Sequence, residues 1–362
     1  MASNKNQHFV PRCYLRPFTH EGANAAINLF NVDRLRFIEH APVKNQCSGD
    51  YFYGADLRLE KALQELEAEY ADALRRILHA GYELSEDDRL LLLRFWLLQH
   101  LRTESASARS VEMAASLRET LEIPAHQFNL GIKEAVQIAM QAFVSSIHSM
   151  DDLKLCLVRN RSKTPFVTSD DPAVLTNRWY FSGRRIHHGS FGLPSSGALT
   201  ILPLSPDVLC LGYDGDVYSI QHERGWVEVR SDRDVASLNE HQYLNCRANI
   251  FVRERTHGAL VAGAYRQVAQ LRPQERYRLT YAVEDRQTAD TTRYRIVSKD
   301  QASDNGTALV HSQIVHAQPS MWPSQVRFRH AGAIYTNGSA VGYVRLSATM
   351  RQTARAFVKE RP

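Results

Sequence analysis

Residues 6–18 read NQHFVPRCYLRPF, and this opening stretch mixes large apolar side chains with chemically versatile polar ones. Chain termini are usually polar and frayed, whereas this one places Phe9 and Tyr14 among its first residues. We therefore predict that the stretch is buried in the body of the fold and carries His8 and Arg12 inward. Histidine exchanges a proton near neutral pH, and arginine offers planar donors to a carboxylate or phosphate. The combination suits an anionic ligand.

The composition is that of a soluble globular protein. The chain has 362 residues, 44% of them hydrophobic, and a formal charge of +5. A mildly basic balance permits nucleic acid or another polyanion as a partner without requiring one. The longest apolar run, residues 90–101, is too short to span a membrane, and no signal peptide opens the chain. We expect no membrane association, and the sequence leaves the oligomeric state unknown.

The cysteines indicate a reducing compartment. They are odd in number and lack any CxxC spacing, which argues against a disulfide framework or a zinc site. We interpret them as reduced thiols of a cytoplasmic protein: Cys13, Cys47, Cys156, Cys210 and Cys246.

Periodicity along the chain predicts an α+β fold. Residues 26–32 and 36–43 are typical of a β-hairpin. A central bundle of long helices follows over about residues 56–150, with helices at about 56–79, 89–117 and 129–148. Strand patterns then predict a mostly antiparallel sheet, interrupted by a loop at about 182–197: residues 153–158, 165–170, 199–204 and 208–211. One more helix is predicted at 235–247.

The last part of the chain differs in composition. It turns polar and threonine-rich from about residue 286, before strand-like runs at 325–329, 333–336 and 341–346. We predict a core of residues 1–285 and an accessory β-rich extension of residues 286–362.

Two groups of histidines attract attention without defining a site. His187 and His188 lie with Arg184 and Arg185 in a loop at about residues 182–197, which we interpret as an exposed basic patch that can steer phosphate. The tail histidines are dispersed and indicate nothing specific: His311, His316 and His330.

The opening stretch resembles the signature of the DUF4238 family, a functionally uncharacterised group. Further matches follow in the family's order and together cover roughly residues 5–260. The family usually has Asn where Asp171 stands and a bulkier residue at Cys13. The resemblance implies a fold and a cluster of interest, and no reaction. The matching elements are QHFVP at 7–11, YLR at 14–16, Phe18, Glu60 and Glu67 on one helix, QxxRT at 99–103 and TSDDP at 168–172.

The helical motifs place charge in apolar surroundings. Glu60 and Glu67 are two turns apart on one helix face, and a carboxylate drawn inward needs a partner. Gln99 and Arg102 are one turn apart in the most apolar helix, where a guanidinium requires an anion. That anion is either a ligand phosphate or a protein carboxylate in a structural Arg–Glu pair. The sequence leaves both open.

Residues 168–172 end an apolar strand, where functional groups are commonly presented. Asp170 can orient or deprotonate His8, bind a metal, or form an Asx turn before Pro172. Ser169 can contact a ligand from the same strand end.

Three functions fit these residues. The first is a phosphodiesterase or nuclease-like hydrolase of nucleic acid or a nucleotide, in defence or toxin biology, with a divalent metal as a possible cofactor. The second is a noncatalytic module that binds nucleic acid or a nucleotide. The third is a structural adaptor with a buried ion-pair network. For the first, the catalytic residues are His8, Glu67 and Asp170, and the ligand-binding residues are Gln7, Arg12, Tyr14, Gln99, Arg102 and Ser169. We predict that five of these nine meet in one pocket: His8, Arg12, Glu67, Arg102 and Asp170.

Overall fold

A computed structural model describes residues 6–54, 57–121, 123–183, 190–288, 292–305, 307–339, 341–350 and 356–362. The predicted basic patch of Arg184, Arg185, His187 and His188 lies outside the described residues.

The N-terminal hairpin is confirmed. It is formed by β2 (Ala26–Asn31) and β3 (Arg36–Pro42). β2 also pairs with β12 (Asn249–Val252), which pairs with β6 (Thr168–Ser169). This antiparallel four-stranded sheet, in the order β3-β2-β12-β6, therefore joins three distant parts of the sequence.

The central helical bundle is also confirmed. In the described residues, no helix is long and apolar enough to cross a membrane. The long helices of the bundle are α2 (Leu57–Ile77), α3 (Glu86–Arg102), α4 (Glu104–Thr120) and α5 (Ile132–Ser146); the other helices are α1 (Arg12–Leu15), α6 (Arg178–Ser182), α7 (Asp232–Asn245), α8 (Gly258–Val268), α9 (Lys299–Ser303) and α10 (Leu346–Thr349).

One helix predicted as continuous, at 89–117, is broken into α3 and α4 at Thr103. Thr103 has an extended backbone, and its hydroxyl accepts a hydrogen bond from the N–H of Ala106, which caps α4. The same hydroxyl donates to the carboxylate of Asp171 at 2.9 Å. The break between α3 and α4 depends on Asp171, which is 68 positions away in the sequence. Helical periodicity is a local pattern, so it could not predict this break.

A five-stranded sheet forms the second layer of the core, in the order β11-β5-β9-β8-β7. Only the pairing of β11 with β5 is parallel among the described strands. Its strands are β5 (Lys154–Asn160), β7 (Val174–Thr176), β8 (Leu199–Ser205), β9 (Val208–Tyr213) and β11 (Trp226–Val229).

The C-terminal region is rich in strands, as predicted. Strand β13 (Tyr277–Gln287) includes residue 286, so the predicted boundary after residue 285 falls within a strand. The division into a core and an extension stays a prediction. Val326 and Ile334 are buried in the same core cluster as the five-stranded sheet. The remaining strands are β1 (Asn6–His8), β4 (Ser48–Asp50), β10 (Tyr218–Ser219), β13 (Tyr277–Gln287), β14 (Thr292–Val297), β15 (Leu309–Ile314), β16 (Arg327–Phe328), β17 (Ile334–Thr336), β18 (Tyr343–Val344) and β19 (Val358–Glu360).

The opening stretch is buried, which confirms the prediction made from its apolar residues. Phe9, Tyr14 and Leu15 belong to the largest core cluster. The Tyr14 ring packs against Tyr70 of α2 and Phe95 of α3, with centroid distances of 6.3 and 6.2 Å. The opening stretch at residues 6–18 therefore forms part of the core between two helices.

We expect Leu15→Ala to lower the free energy of unfolding by about 2–5 kcal/mol, because it leaves a cavity at a fully buried site. Urea denaturation monitored by circular dichroism measures the change. Leu121→Ala is the matched control, since Leu121 is 54% exposed, and we expect a change within about 0.5 kcal/mol. Equal effects of the two substitutions would show that the opening stretch does not stabilise the core.

Candidate functional site

Arg102 is fully buried and holds the opening stretch against the helices. Its Nη1 donates to Oε1 of Glu67 at 2.8 Å, and its Nε donates to the carbonyl of Phe9 at 3.0 Å. The Gln99 amide, placed with its oxygen toward Arg102, accepts from Nη2 at 3.1 Å and Nε at 2.9 Å. The guanidinium thus has protein partners on several sides, as burial of a charge requires.

Gln7 and Tyr14 also have protein partners in the interior. The Gln7 amide donates to Glu60 at 2.8 Å and accepts from the backbone N–H of Tyr53 at 2.7 Å. The hydroxyls of Tyr14 and Thr168 are hydrogen-bonded at 2.7 Å. These contacts tie the opening stretch to α2 and to strand β6.

His8 and Arg12 lie at the edge of this network. Burial, and then the charge of Arg12, lowers the pKa of His8, so its imidazole is neutral at pH 7. The Nε2 atom of His8 is buried without a hydrogen-bond partner. The prediction that Arg12 is carried inward is wrong, because Arg12 is exposed and its side chain donates to the carbonyl of Asn24 at 3.1 Å.

Asp170 holds a different part of the fold. Its carboxylate accepts hydrogen bonds from three successive backbone N–H groups, those of Arg247, Ala248 and Asn249, each at 2.8 Å. Burial raises the pKa of Asp170 to about 6, against the opposing effect of those three donors. Ser169 donates to Gln242 at 2.9 Å. The carboxylate therefore fixes the turn between α7 and β12.

The predicted site residues take part in separate hydrogen-bond networks. Glu67 and Arg102 form an ion pair, as the alternative interpretation of a structural Arg–Glu pair predicted. No hydrogen bond or ion pair within the described residues joins Asp170 to His8, Arg12, Glu67 or Arg102. The single shared pocket stays a prediction.

An open groove of about 1240 Å³ lies on another face of the molecule. It runs from the segment after α1, along the C-terminal end of α2, to the strands β5 and β11. Five arginines and three carboxylates line it, together with His20 and His79. These charged residues are Arg16, Arg75, Arg159, Arg161 and Arg253, with Glu21, Asp207 and Glu254.

A cation–aromatic pair stands in the wall of this groove. The guanidinium carbon of Arg159 lies 4.0 Å from the ring centroid of Trp226. The indole N–H of Trp226 donates to the carbonyl of Tyr82 at 2.7 Å, which fixes the ring. Arg161 and Arg253 make only exposed ion pairs, with Glu228 and Glu254, and such pairs leave the cation free to bind another anion at little cost.

A third feature is a small, partly open cavity of about 40 Å³ between α3, α4, α7 and the ends of β7 and β15. Its polar lining brings together residues from six parts of the chain: His100, Arg109, Asp171, Thr176, His241, Asn245, Arg276 and His316. This cluster contains both arginine and histidine, the residue types that we sought in the opening stretch.

The histidines of this cavity are neutral. Burial lowers the pKa of His241 to about 4 and also lowers the pKa values of His100 and His316. Nδ1 of His100 lies 3.0 Å from the carbonyl of Ala173, so it donates there in the neutral ring and leaves Nε2 as an acceptor. In the described part of the chain, no group of three or more His, Cys, Asp or Glu side chains is arranged to hold a metal ion.

The comparisons with known proteins agree with the signature elements. The family model described as "Protein of unknown function (DUF4238)" matches residues 6–256. The chain belongs to this family. No curated protein and no solved structure matches it. The DUF4238 match includes the Arg102 network and ends just after β12, the strand that pairs with the N-terminal hairpin.

Sequence analysis of this DUF4238 chain missed most of the cavity. Arg109, Thr176 and Arg276 carried no recognisable motif, and His316 belonged to a tail in which we found nothing specific. The available signal was the pair of polar residues Asn239 and Gln242 on helix α7, which is largely buried. Polar residues on a buried helix indicate partners nearby, and His241 lies on that helix.

We expect Arg102→Met to lower the free energy of unfolding by about 3–5 kcal/mol, because it leaves Glu67 without its cation and the carbonyl of Phe9 without its donor. Glu67→Gln should cost a similar amount: an amide oxygen still accepts from Arg102, but the fully buried guanidinium loses its anion. Chemical denaturation of both variants and the double variant measures the coupling. Additive effects would contradict a direct pair.

The buried His241 predicts a pH dependence of stability. Its pKa is about 4 in the fold and about 6.5 in the unfolded chain, so protons bind the unfolded state more readily. Stability is therefore lost as the pH falls from 6.5 toward 4, by up to about 1.4 kcal/mol per pH unit. Between pH 7 and 5 we expect His241→Gln to lose about 2 kcal/mol less than the wild type in urea denaturation. Equal losses would contradict the assignment.

Proposed function

We propose that this DUF4238 protein is a noncatalytic binding module for nucleic acid or a nucleotide, and that the open groove is its binding surface. The observation that carries the proposal is the Arg159–Trp226 pair in the wall of a groove with more arginines than carboxylates.

The lining of the groove suits the two recurring parts of a nucleotide. Arginine guanidinium groups bind phosphate oxygens through paired N–H donors. Bases stack on aromatic rings and on arginine planes without sequence preference. The volume of about 1240 Å³ exceeds the usual range of roughly 300–1,000 Å³ for a small-molecule pocket. The groove is thus large enough for more than one nucleotide of a single strand.

Binding is favoured over hydrolysis because the predicted catalytic carboxylates are occupied by the protein itself. Glu67 pairs with Arg102, and Asp170 accepts from three backbone N–H groups. Five of the predicted ligand-binding residues are at most 1% exposed, and a ligand would have to displace their protein partners: Gln7, Tyr14, Gln99, Arg102 and Ser169. The adaptor hypothesis explains that closed network but gives the groove no role.

We expect the variant Arg159→Gln/Arg253→Gln to bind a fluorescein-labelled single-stranded oligonucleotide at least about tenfold more weakly in fluorescence anisotropy. A hydrogen bond to a charged group contributes roughly 1.5–3 kcal/mol, and about 1.4 kcal/mol is tenfold in affinity. The slope of log K against log salt should become less negative by about 1.4 for two lost phosphate contacts on a single strand.

The matched control removes two arginines elsewhere. Arg293→Gln/Arg295→Gln changes the same net charge on exposed positions of β14, and its affinity and salt slope should stay close to the wild type. An equal loss in both variants would indicate general attraction to a basic protein. No measurable binding by the wild type would reject the proposal.

A second arm tests hydrolysis directly. Purified protein is incubated with RNA, DNA and a nucleotide panel, with and without divalent metal ions, beside the variant His8→Ala. We expect every substrate to remain intact. Cleavage that disappears in His8→Ala would contradict the noncatalytic proposal and favour the hydrolase.

A further inference from the structure

The partly open cavity between α3, α4 and α7 contains buried polar atoms without partners. His241 is 3% exposed and Thr176 is 2% exposed, and both side chains line the cavity. Neither Nε2 of His241 nor Oγ1 of Thr176 has a hydrogen-bond partner. Leaving such buried groups unsatisfied is costly, so two of them at one cavity indicate that something else satisfies them.

The same cavity carries an excess of positive charge. Arg109 and Arg276 line it, and Asp171 is the only carboxylate among its described lining residues. Arg276 is fixed by hydrogen bonds to the carbonyls of Asn245 and Cys246 at 3.0 and 2.7 Å. Arg109 has no hydrogen bond or ion pair with any described residue, although burial lowers its pKa. Its guanidinium is half-buried and has no protein counter-ion in contact, so it is available to an anion that enters the cavity.

Asp171 does not fill that requirement. Its Oδ1 accepts from Thr103 at 2.9 Å, where the two residues hold the break between α3 and α4. It attracts Arg109 electrostatically without forming an ion pair with it. With both arginines charged and the three histidines neutral, the lining keeps a net charge of +1.

The space inside the cavity suits a small anion. A water molecule needs about 10–15 Å³ of such space, so about 40 Å³ admits a group of about three or four water-sized parts. This is enough for phosphate, sulfate or a short carboxylate group.

We propose that this cavity is a binding site for a small oxyanion, with Arg109 as the principal charged donor and Thr176 and His241 as neutral donors. The Thr176 hydroxyl donates one hydrogen bond to the anion. The His241 ring, neutral at pH 7, donates through Nε2–H. Arg276 adds a fixed positive charge from the other wall. The site is separate from the groove and does not depend on the function proposed for it.

The test compares anions by thermal denaturation of the full chain at constant ionic strength set with NaCl. Inorganic phosphate, sulfate and acetate are titrated separately, because a ligand bound only by the folded state raises Tm with its concentration. We expect at least one of the three to raise Tm of the wild type beyond the chloride control, with a saturating dependence that gives a Kd.

Two variants locate the site. Arg109→Gln should raise that Kd at least tenfold. Thr176→Val removes only the unpartnered hydroxyl and keeps the shape of the side chain, so it should fold and should still bind more weakly, by about threefold or more. The groove variant Arg159→Gln/Arg253→Gln is the control and should keep the Kd of the wild type.

Three results would overturn the proposal. Absence of any shift beyond chloride would mean that the cavity holds water only. An unchanged Kd in both Arg109→Gln and Thr176→Val would place the anion elsewhere. Loss of the response in the groove variant, with both cavity variants responding normally, would assign anion binding to the groove.

Discussion

The buried guanidinium of Arg102 is the constraint on which the N-terminal half of the structure depends. An arginine cannot lose its charge in a protein, so a fully buried one must have an anion and acceptors in the interior. Glu67 supplies the anion from α2, and Phe9 supplies a carbonyl from the opening stretch. One side chain of α3 therefore holds both elements against it.

Polar side chains on one face of α7 hold residues 168–172 in place by hydrogen bonds. Asn239 accepts from the N–H of Val167, Gln242 bonds to Ser169 and Pro172, and Asn245 donates to the carbonyl of Asp171. These side chains recur about every turn, so one helix face satisfies a strand end that would otherwise bury unpaired polar groups. The strand end then places Asp171 where it meets Thr103 and interrupts the long helix.

Most of the polar signature residues have partners inside the protein, although Arg16 lines the groove and Asp171 lines the cavity. The groove presents exposed arginines, whose attraction for a polyanion is long-range and screened by salt. The cavity presents two buried polar groups without protein partners, on Thr176 and His241. Our two proposals therefore assign different anions to the two sites: an extended phosphate chain to the groove and a single small oxyanion to the cavity.

The sequence by itself determined the α+β fold, the hairpin, the helical bundle and the burial of the opening stretch, because periodicity and apolar spacing are local properties of the chain. It also limited Arg102 to a charged partner. Only the tertiary structure decided that this partner is Glu67, that Asp170 serves the turn at 247–249, and that His316 joins His100 and His241 at a cavity. These outcomes depend on contacts between residues far apart in the chain, and such contacts leave no periodic pattern in one sequence.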